Sequence, residues 1–375
     1  MIDKIVLYGL YLITSVLVFG VIVLVHELGH FTVAKLAGVH VYEFSIGFGP
    51  RLAGFRKRET AYNLRVIPLG GYVRMAGMDP EEDQREAARS AENEPEFAEE
   101  SHGPDEKGKV IPVVDQAKSF SHKSVPQRMA IIASGPIMNF ILAIILFALT
   151  IWISGLPDQN IVGQVMKGKP ADVVGIREGD RINKINNKPV KVWEDIIGII
   201  HNSPNKRIKL EIGRGQETRV VYVTPEIDRE NNIGLIGIIA KSRKPGVFES
   251  LKSGAVQSYT MLSMTADFIR KMMARQIPVQ LSGPVRITYE LGKAAQMGLN
   301  KVIYFAGILS LQIGLFNLLP FPALDGSRLM FLGVEGIRGM PIDPSKENFI
   351  HLVGLALLLL LMVVITYQDI AQMIS

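Results

Sequence analysis

The chain contains no cysteine among its 375 residues. This absence excludes disulfide frameworks, thiolate zinc sites, iron–sulfur clusters and cysteine nucleophiles. Any metal must therefore be held by His, Asp or Glu side chains, and the chain has only seven His residues. A search for metal chemistry is consequently confined to a few positions.

Charged residues are also scarce. They make up 21% of the chain, whereas soluble proteins usually carry roughly 25%. The shortage is local, and apolar residues reach 48% overall, which indicates membrane spans rather than an oily soluble core. The net charge of +5 is modest, and no basic cluster is interleaved with exposed aromatic residues. We therefore predict no nucleic-acid partner.

Four stretches, 5–25, 129–153, 302–324 and 349–367, lack Asp, Glu, Lys and Arg and are long enough to cross a bilayer, which takes about 20 apolar residues in a helix. We predict a polytopic α-helical membrane protein with four transmembrane helices, at residues 5–33, 129–153, 302–319 and 349–367. The first two belong to an N-terminal membrane domain, 1–153, and the last two to a C-terminal one, 302–375. The first stretch exceeds the core of a signal peptide, roughly 7–15 residues, and no small-residue cleavage site follows, so we expect it to be retained.

Lys and Arg residues near the spans predict the orientation, since short cytoplasmic loops are enriched in them. The loop after the first span is rich in Lys and Arg, and the loop before the fourth carries Arg328, Arg338 and Lys346. The N-terminal tail has only Lys4 and the C-terminal tail has neither type. We therefore expect cytoplasmic first and third loops, with both termini and residues 154–301 outside.

The segments between the spans differ in character. Residues 59–76 alternate apolar and polar side chains around a Pro-Leu-Gly-Gly sequence at 68–71, which predicts a β-hairpin with a glycine turn. Residues 79–106 hold twelve Asp or Glu against two Arg, as in a solvated acidic loop that serves as a spacer. Residues 247–298 form a predicted amphipathic helical linker that lies either on the membrane surface or against the outer domain.

Residues 160–240 have the pattern of a small α+β domain, with short strands, turns and an amphipathic helix at 192–201. The Gly-Ile-Arg-Glu-Gly-Asp-Arg-Ile run at 175–182 resembles part of the signature of bacterial PDZ domains. The resemblance implies a loop that binds a peptide carboxylate through backbone N–H groups, with Leu235, Ile236 and Gly237 as candidates. The alternative is that these residues are simply a closing strand.

The chemistry is concentrated at the end of the first span, where residues 26–30 read His-Glu-Leu-Gly-His. On a helix His26 and His30 share a face, so they can bind one zinc ion while Glu27 acts as general base. Ionisable groups at membrane depth are costly and usually functional. The other histidines, His40, His102, His122, His201 and His351, are interpreted as ordinary loop, surface or interfacial residues.

A catalytic zinc ion takes three protein ligands and keeps one open position. The best third candidate is Asp325, which follows two prolines that break the end of the third span. Non-helical backbone at membrane depth is tolerated where protein or a water-filled cavity lines it, so such an end is suited to face a metal. Taken alone, an Asp-Gly pair after prolines is more often a plain turn.

Together the motifs identify a family. The chain resembles the site-2 protease family of intramembrane zinc metalloproteases, and within it the bacterial regulator of sigma-E protease type. The resemblance covers essentially the whole chain and rests on residues 26–30, 44–50, 67–77, 135–140, 281–284 and 317–326. Two departures stand out, since only one PDZ-like domain fits between the second and third spans, and Ser327 stands where a second Gly is common.

The resemblance implies the site and the activity. His26, His30 and Asp325 would ligate one Zn²⁺ ion, with Glu27 as the base. Asn317 would help to hold substrate, and the membrane-associated hairpin on the cytoplasmic side would pair with it; we assign this role to Gly70, Gly71, Tyr72 and Val73.

The implied substrates are single-span membrane proteins already cut outside, either an anti-sigma factor or a remnant signal peptide, as in regulated intramembrane proteolysis. The implied location is the bacterial inner membrane, with the lipid bilayer as a partner and the PDZ domain extracytoplasmic. One rival is a PDZ scaffold without catalysis, but the chain keeps all four chemical groups. Another is a metal-ion transporter, which would spread polar residues over several spans.

Overall fold

A computed structural model of the chain describes residues 2–78, 102–104, 110–112, 116–228, 232–277 and 283–374. The predicted acidic loop lies outside the described residues except for 102–104. The chain folds as two compact units. We call residues 1–147 with 254–375 the membrane unit, and residues 148–253 the inserted unit.

The N-terminal part of the membrane unit is a long helix, a β-element and a second long helix. Its elements in chain order are α1 (Ile2–Leu36), β1 (Val41–Lys57), β2 (Thr60–Met75), β3 (His102–Pro104), β4 (Val110–Pro112) and α2 (Val125–Ser154). β1 pairs with β2 and β3 with β4, both antiparallel. Two short 3-10 turns precede α2.

The hairpin predicted within 59–76 is wrong in its turn and in its first strand. The chain reverses at Arg58 and Glu59, and residues 60–75 are one long strand that runs through the Pro-Leu-Gly-Gly sequence. The first half of β1 pairs with Gly71–Met75 along one edge and with residues 61–64 along the other. Segment 71–75 is therefore at an edge of the β-element.

The misread turn has a physical cause. Gly70 and Gly71, the glycines read as the turn, lie inside β2, and a Cβ at Gly71 would be 2.7 Å from the carbonyl oxygen of Ser45 in β1. Glycine in β2 thus serves close strand approach instead of ending the strand. Conversely, Arg58 occupies the left-handed turn position at φ 54°, which a sequence pattern does not assign to Arg.

The inserted unit is built from short antiparallel strands and two helices. Its elements are β5 (Leu156–Val165), α3 (Pro170–Val173), β6 (Arg181–Ile185), β7 (Lys188–Pro189), α4 (Trp193–His201), β8 (Ile208–Arg214), β9 (Glu217–Val223), β10 (Glu226–Asp228), β11 (Ile233–Leu235) and β12 (Ile238–Arg243). The sheet order is β12-β5-β6-β8-β9, with β7 on β6, and β10 pairs with β11. Fully buried isoleucines of β6, α4 and β8 form its core.

The Gly-Asp pair of the predicted PDZ signature has a structural role in this unit. Asp180 is buried and accepts two hydrogen bonds from Arg214, both 2.8 Å, and one from the backbone N–H of Arg177. Burial opposes the ionised form, but these bonds hold the pKa of Asp180 below its usual range. The signature thus fixes the turn before β6.

The rest of the chain is helical. The helices are α5 (Val247–Met273), α6 (Pro284–Met297), α7 (Leu299–Asn317), α8 (Asp325–Arg338) and α9 (Pro344–Ile374). In the described chain four helices are long and apolar enough to cross a membrane, namely α1, α2, α7 and α9. α7 ends at Asn317, shortly before Pro320 and Pro322, which lack the N–H that a helix would need.

The Gly283-Pro284 pair, part of a motif in the sequence, begins α6. The carboxylate of Asp369 on α9 accepts the backbone N–H of Gly283 at 3.1 Å and of Arg286 at 3.0 Å. A Cβ at residue 283 would lie 2.6 Å from an oxygen of that carboxylate. Residue 283 must therefore be glycine, so that the Asp369 side chain of α9 can reach and cap the N-terminal end of α6.

Candidate active site

His26, Glu27 and His30 lie in the last third of α1, where α2 packs closely against it. A Cβ at Gly29 would lie 2.4 Å from the carbonyl oxygen of Ser134, and a Cβ at Gly135 would lie 2.3 Å from Nε2 of His30. Glycine at both positions therefore lets the two helices approach and leaves the imidazoles free of an intervening side chain.

Each imidazole is held through its Nδ1 atom. His30 Nδ1 lies 2.8 Å from the carbonyl oxygen of Ile131, so Nδ1–H donates and Nε2 is left with a lone pair. His26 Nδ1 lies 3.1 Å from Nδ2 of Asn139, a fully buried side chain whose Oδ1 has no hydrogen-bond partner. Exchanging the oxygen and nitrogen of this amide satisfies Oδ1, because Nδ1–H of His26 then donates to it. Both Nε2 atoms are then available to a metal, as is usual for ligating histidines.

Asp325 completes a cluster with the two histidines. Its Oδ2 lies 3.1 Å from Nε2 of His26 and 3.4 Å from Nε2 of His30, and the two Nε2 atoms are 3.1 Å apart. All three ligand atoms lie within 4.8 Å of one another. Two imidazoles and one carboxylate are a donor set that zinc takes in hydrolytic enzymes, so the residues fit the ion.

The chain between α7 and α8 delivers Asp325 to this cluster. Asp325 is the first residue of α8, directly after the non-helical residues 318–324. A Cβ at Gly326 would lie 2.2 Å from the carbonyl oxygen of Leu319, so this residue must be glycine. Ser327, by contrast, is buried without conflict and its hydroxyl donates to the carbonyl of Leu324 at 2.7 Å.

A cavity of about 410 Å³ opens onto the cluster. Its lining residues are His26, Glu27, His30, Tyr72, Val73, Arg74, Met75, Met78, Ile132, Asn317, Ala323, Asp325 and Arg328. Gly71 lies against the base candidate, since a Cβ there would be 3.2 Å from Cγ of Glu27. Gly70 is not in the lining; a Cβ there would instead meet the ring of Phe48. Of the five residues proposed to bind substrate, Tyr72, Val73 and Asn317 line the cavity and Gly71 lies against Glu27, whereas Gly70 does neither.

The three residues proposed to bind a peptide end lie together in the inserted unit. Leu235, Ile236 and Gly237 line a groove of about 220 Å³ opposite apolar residues of α4. Ile236 and Gly237 lie between β11 and β12 and are not part of either strand, so the alternative of a closing strand does not hold for them. Gly237 has φ +79°, the left-handed region that favours glycine.

Sequence reasoning missed three residues near the site. Asn139 stands in a motif that the sequence drew attention to, although the motif alone does not reveal its contact with His26. His351 was interpreted as an interfacial residue, yet its Nδ1 accepts the backbone N–H of Ala323 at 3.0 Å. The third, Glu43, is a buried carboxylate in β1.

Glu43 ties the cavity wall to β1. It accepts hydrogen bonds from Asn63 at 2.7 Å, Arg65 at 2.6 Å, Tyr72 at 2.9 Å and Arg74 at 3.2 Å. Burial opposes its ionisation, but these bonds hold the pKa of the carboxyl below its usual range. One pattern in the sequence could have revealed this network. Polar residues spaced two apart in the strands place Glu43 and its four partners on one face of the β-element.

Comparisons with known proteins show the family of the chain. A model of peptidase family M50 matches residues 14–361. Zinc metalloprotease RasP of Geobacillus kaustophilus is 34% identical, over 96% of this chain and 98% of the relative. Regulator of sigma-W protease RasP of Bacillus subtilis is 34% identical over 96% and 98%. Probable protease eep of Enterococcus faecalis is 32% identical over 96% and 99%.

Solved structures of PDZ domains match about a fifth of the chain. The PDZ domain of an SdrC-like protein from Listeria monocytogenes matches 21% of this chain and 84% of its own, with 24% identity and a TM-score of 0.20. The corresponding domain from Listeria innocua matches 23% and 97%, with 25% identity and a TM-score of 0.21.

A cluster of two imidazoles and a carboxylate that could hold a metal ion, at an apolar helix and with Glu27 beside it, is the arrangement expected of a membrane metallohydrolase. The family model matches far more than half of the chain, and the chain belongs to peptidase family M50, the site-2 proteases. It is a zinc metalloprotease. The family resemblance predicted from the sequence motifs is confirmed.

Proposed function

We propose that the chain cuts transmembrane segments of single-span proteins that another protease has already trimmed outside the membrane. One observation carries the proposal: the three clustered donors, His26, His30 and Asp325, line one cavity together with Glu27 and residues 72–75 of the edge segment. The histidines and Glu27 lie on a candidate membrane helix, which favours a substrate inside the bilayer.

A substrate helix must be opened before it is cut, because all its peptide groups are hydrogen-bonded internally. Segment 71–75 pairs with β1 on one side, and among the described residues no strand covers its other side. An extended substrate segment can therefore add to this edge and regain its hydrogen bonds by β-augmentation. Gly71, Tyr72 and Val73 provide the edge beside Glu27, and Asn317 helps to hold the scissile peptide.

The chain's own groups then supply positioning and proton transfer. His26, His30 and Asp325 would hold one Zn²⁺ ion. When bound, zinc polarises the scissile carbonyl and lowers the pKa of water to about 7. Glu27 accepts the proton of the attacking water and returns it to the leaving amine. Asn139 and the carbonyl of Ile131 keep the two imidazoles in the ligating orientation.

The inserted unit supplies a means of substrate selection. Its groove between α4 and residues 235–237 has the apolar floor and glycine-containing loop that suit an extended peptide end. We propose that it is a PDZ domain that reads the new C-terminus left by the first cut. The name of the Bacillus subtilis relative, a regulator of sigma-W protease, favours an anti-sigma factor over a remnant signal peptide as substrate.

The proposed location is the bacterial cytoplasmic membrane, with four spans. The loops after α1 and after α7 would lie in the cytoplasm, and both termini and the inserted unit outside. The concentration of Lys and Arg in those two loops supports this orientation.

The test is cleavage of a purified single-span substrate by the detergent-solubilised chain. Trimmed and untrimmed forms of the substrate are compared, product masses locate the cut, and the zinc content of the same sample is measured. We expect a cut inside the apolar segment of the trimmed form and about one zinc ion per chain. Cleavage only outside that segment, or activity that persists without metal, would contradict the proposal.

A further inference from the structure

The turn that presents Asp325 has an unfavourable backbone conformation. Ala323, two residues earlier, has φ +74°, in the left-handed region that residues with a Cβ rarely adopt. It lies in the wall of the candidate cavity. Leu324, the N-cap residue of α8, makes no side-chain capping hydrogen bond. Such a conformation persists only when its surroundings hold it.

His351 on α9 contacts this turn directly. Its Nδ1 accepts the backbone N–H of Ala323 at 3.0 Å, so the neutral ring carries its hydrogen at Nε2. The ring is largely buried, with 15% of the side chain exposed. Its other face is fixed by an edge contact with Phe331 of α8, at 6.0 Å between ring centroids.

Gly354, three residues further along α9, makes a second contact with the same turn. A Cβ there would lie 2.2 Å from Cβ of Pro322 and 2.7 Å from its carbonyl carbon. Residues three apart share a helix face. His351 and Gly354 thus hold Pro322 and Ala323 by one hydrogen bond and one close backbone approach.

We propose that His351 is a positioning residue for the metal ligand Asp325. It does not touch the cluster itself; it stabilises the left-handed turn from which Asp325 projects to within 3.4 Å of both histidine Nε2 atoms. Small displacements of a ligating group weaken a site strongly, so loss of this contact should weaken metal binding. The proposal rests on the ligand set given under the proposed function.

The test measures the zinc affinity of the full-length, detergent-solubilised protein by competition with a chromogenic chelator. His351→Leu removes the acceptor and should weaken zinc binding by about tenfold, the lower end of the effect of losing a direct partner of a ligand, because His351 acts through the turn. His351→Asn keeps an acceptor near the position of Nδ1 and should stay within about threefold of wild type.

Ala323→Gly tests whether His351 acts through the strained turn, because glycine adopts φ +74° without a steric penalty. In combination with His351→Leu it should restore most of the lost affinity, which a purely structural role of the histidine does not predict. Gly354→Ala tests the same turn without altering His351 and should also weaken zinc binding. Gly333→Ala is the matched control, since a Cβ there meets nothing within 4 Å and the affinity should not change.

Several outcomes would overturn the proposal. These are wild-type affinity in His351→Leu, an equal loss in His351→Asn, or no recovery on adding Ala323→Gly. Should His351→Leu fail to fold, Gly354→Ala with wild-type affinity overturns it instead. If the wild-type protein binds no zinc, or His26→Ala binds it as tightly, the ligand assignment fails and this proposal fails with it. Zinc binding that depends on His26 but not on His351 refutes only the positioning role.

Discussion

At the scale of single residues, the site depends on what each polar group can donate or accept. The two histidine rings have their Nδ1 atoms engaged, which leaves both Nε2 atoms facing Asp325. Glu27 lines the same cavity but is not one of the three clustered donors, which leaves it available for the proton transfer that we propose.

This separation of roles gives the first prediction. Glu27→Gln should keep the fold and the zinc ion, because the ligands are unchanged, but lose proton transfer. That step is typically worth about 10²–10⁴-fold in rate. Cleavage rate and zinc content are measured on the same sample, with His26→Ala as the control that should lose the metal. A zinc-loaded Glu27→Gln protein that cleaves at the wild-type rate would show that another group is the base.

Glu43 gives a prediction of pH dependence. Its folded-state pKa is below that of the unfolded chain, so ionised Glu43 stabilises the protein above its unfolded pKa, and this contribution is lost as pH falls through the folded pKa. Glu43→Gln should lower stability by about 1–3 kcal/mol near neutral pH. The difference in melting temperature from wild type should shrink in acid.

The control for Glu43→Gln is Asp267→Asn, which removes the exposed ion pairs that Asp267 makes with Arg270 and Lys271 on α5. Exposed pairs contribute little, so its melting temperature should follow wild type at every pH. If the deficit of Glu43→Gln is the same in acid as at neutral pH, ionised Glu43 is not what stabilises the hairpin.

At the scale of elements, the groove of the inserted unit can be tested on its own residues. Gly237→Trp should fill the groove and weaken binding of a C-terminal peptide by at least about tenfold, because the indole would cover the apolar floor of the groove. Binding is measured by fluorescence anisotropy on the full-length Glu27→Gln protein. Gly198→Trp on α4 is the control, since residue 198 faces open space and does not line the groove. Equal binding by both variants would remove the peptide-reading role.

Some elements could be predicted from the sequence and others could not. The long apolar helices and the His-Glu-Leu-Gly-His motif could be read directly, because a 20-residue apolar run and an i, i+4 pair are local patterns. The β-element could not, because its glycines serve contacts between distant strands, as Gly47 does with Ile67. Asn139 and His351 were equally hidden, since each acts through a partner more than 25 residues away, at 113 and 28 positions respectively.

At the scale of the whole molecule, one orientation in the membrane is required by the proposed order of cuts. The inserted unit must meet the end left by a cut outside the cell, whereas His26, Glu27 and Asp325 must reach the substrate segment within the bilayer. The Lys and Arg residues after α1 and after α7 favour a cytoplasmic location for those loops.

Reporter fusions test this orientation. A fusion at residue 90 or 335 should be active as a cytoplasmic reporter, and a fusion at residue 215 should be active only as an extracytoplasmic one. Fusions after residue 374 provide the control, since four spans return the C-terminus to the side of the N-terminus. A cytoplasmic signal at 215 would place the groove of residues 235–237 on the wrong side of the membrane for a trimmed C-terminus. Substrate choice would then have to reside in the edge segment 71–75 and the cavity beside Glu27.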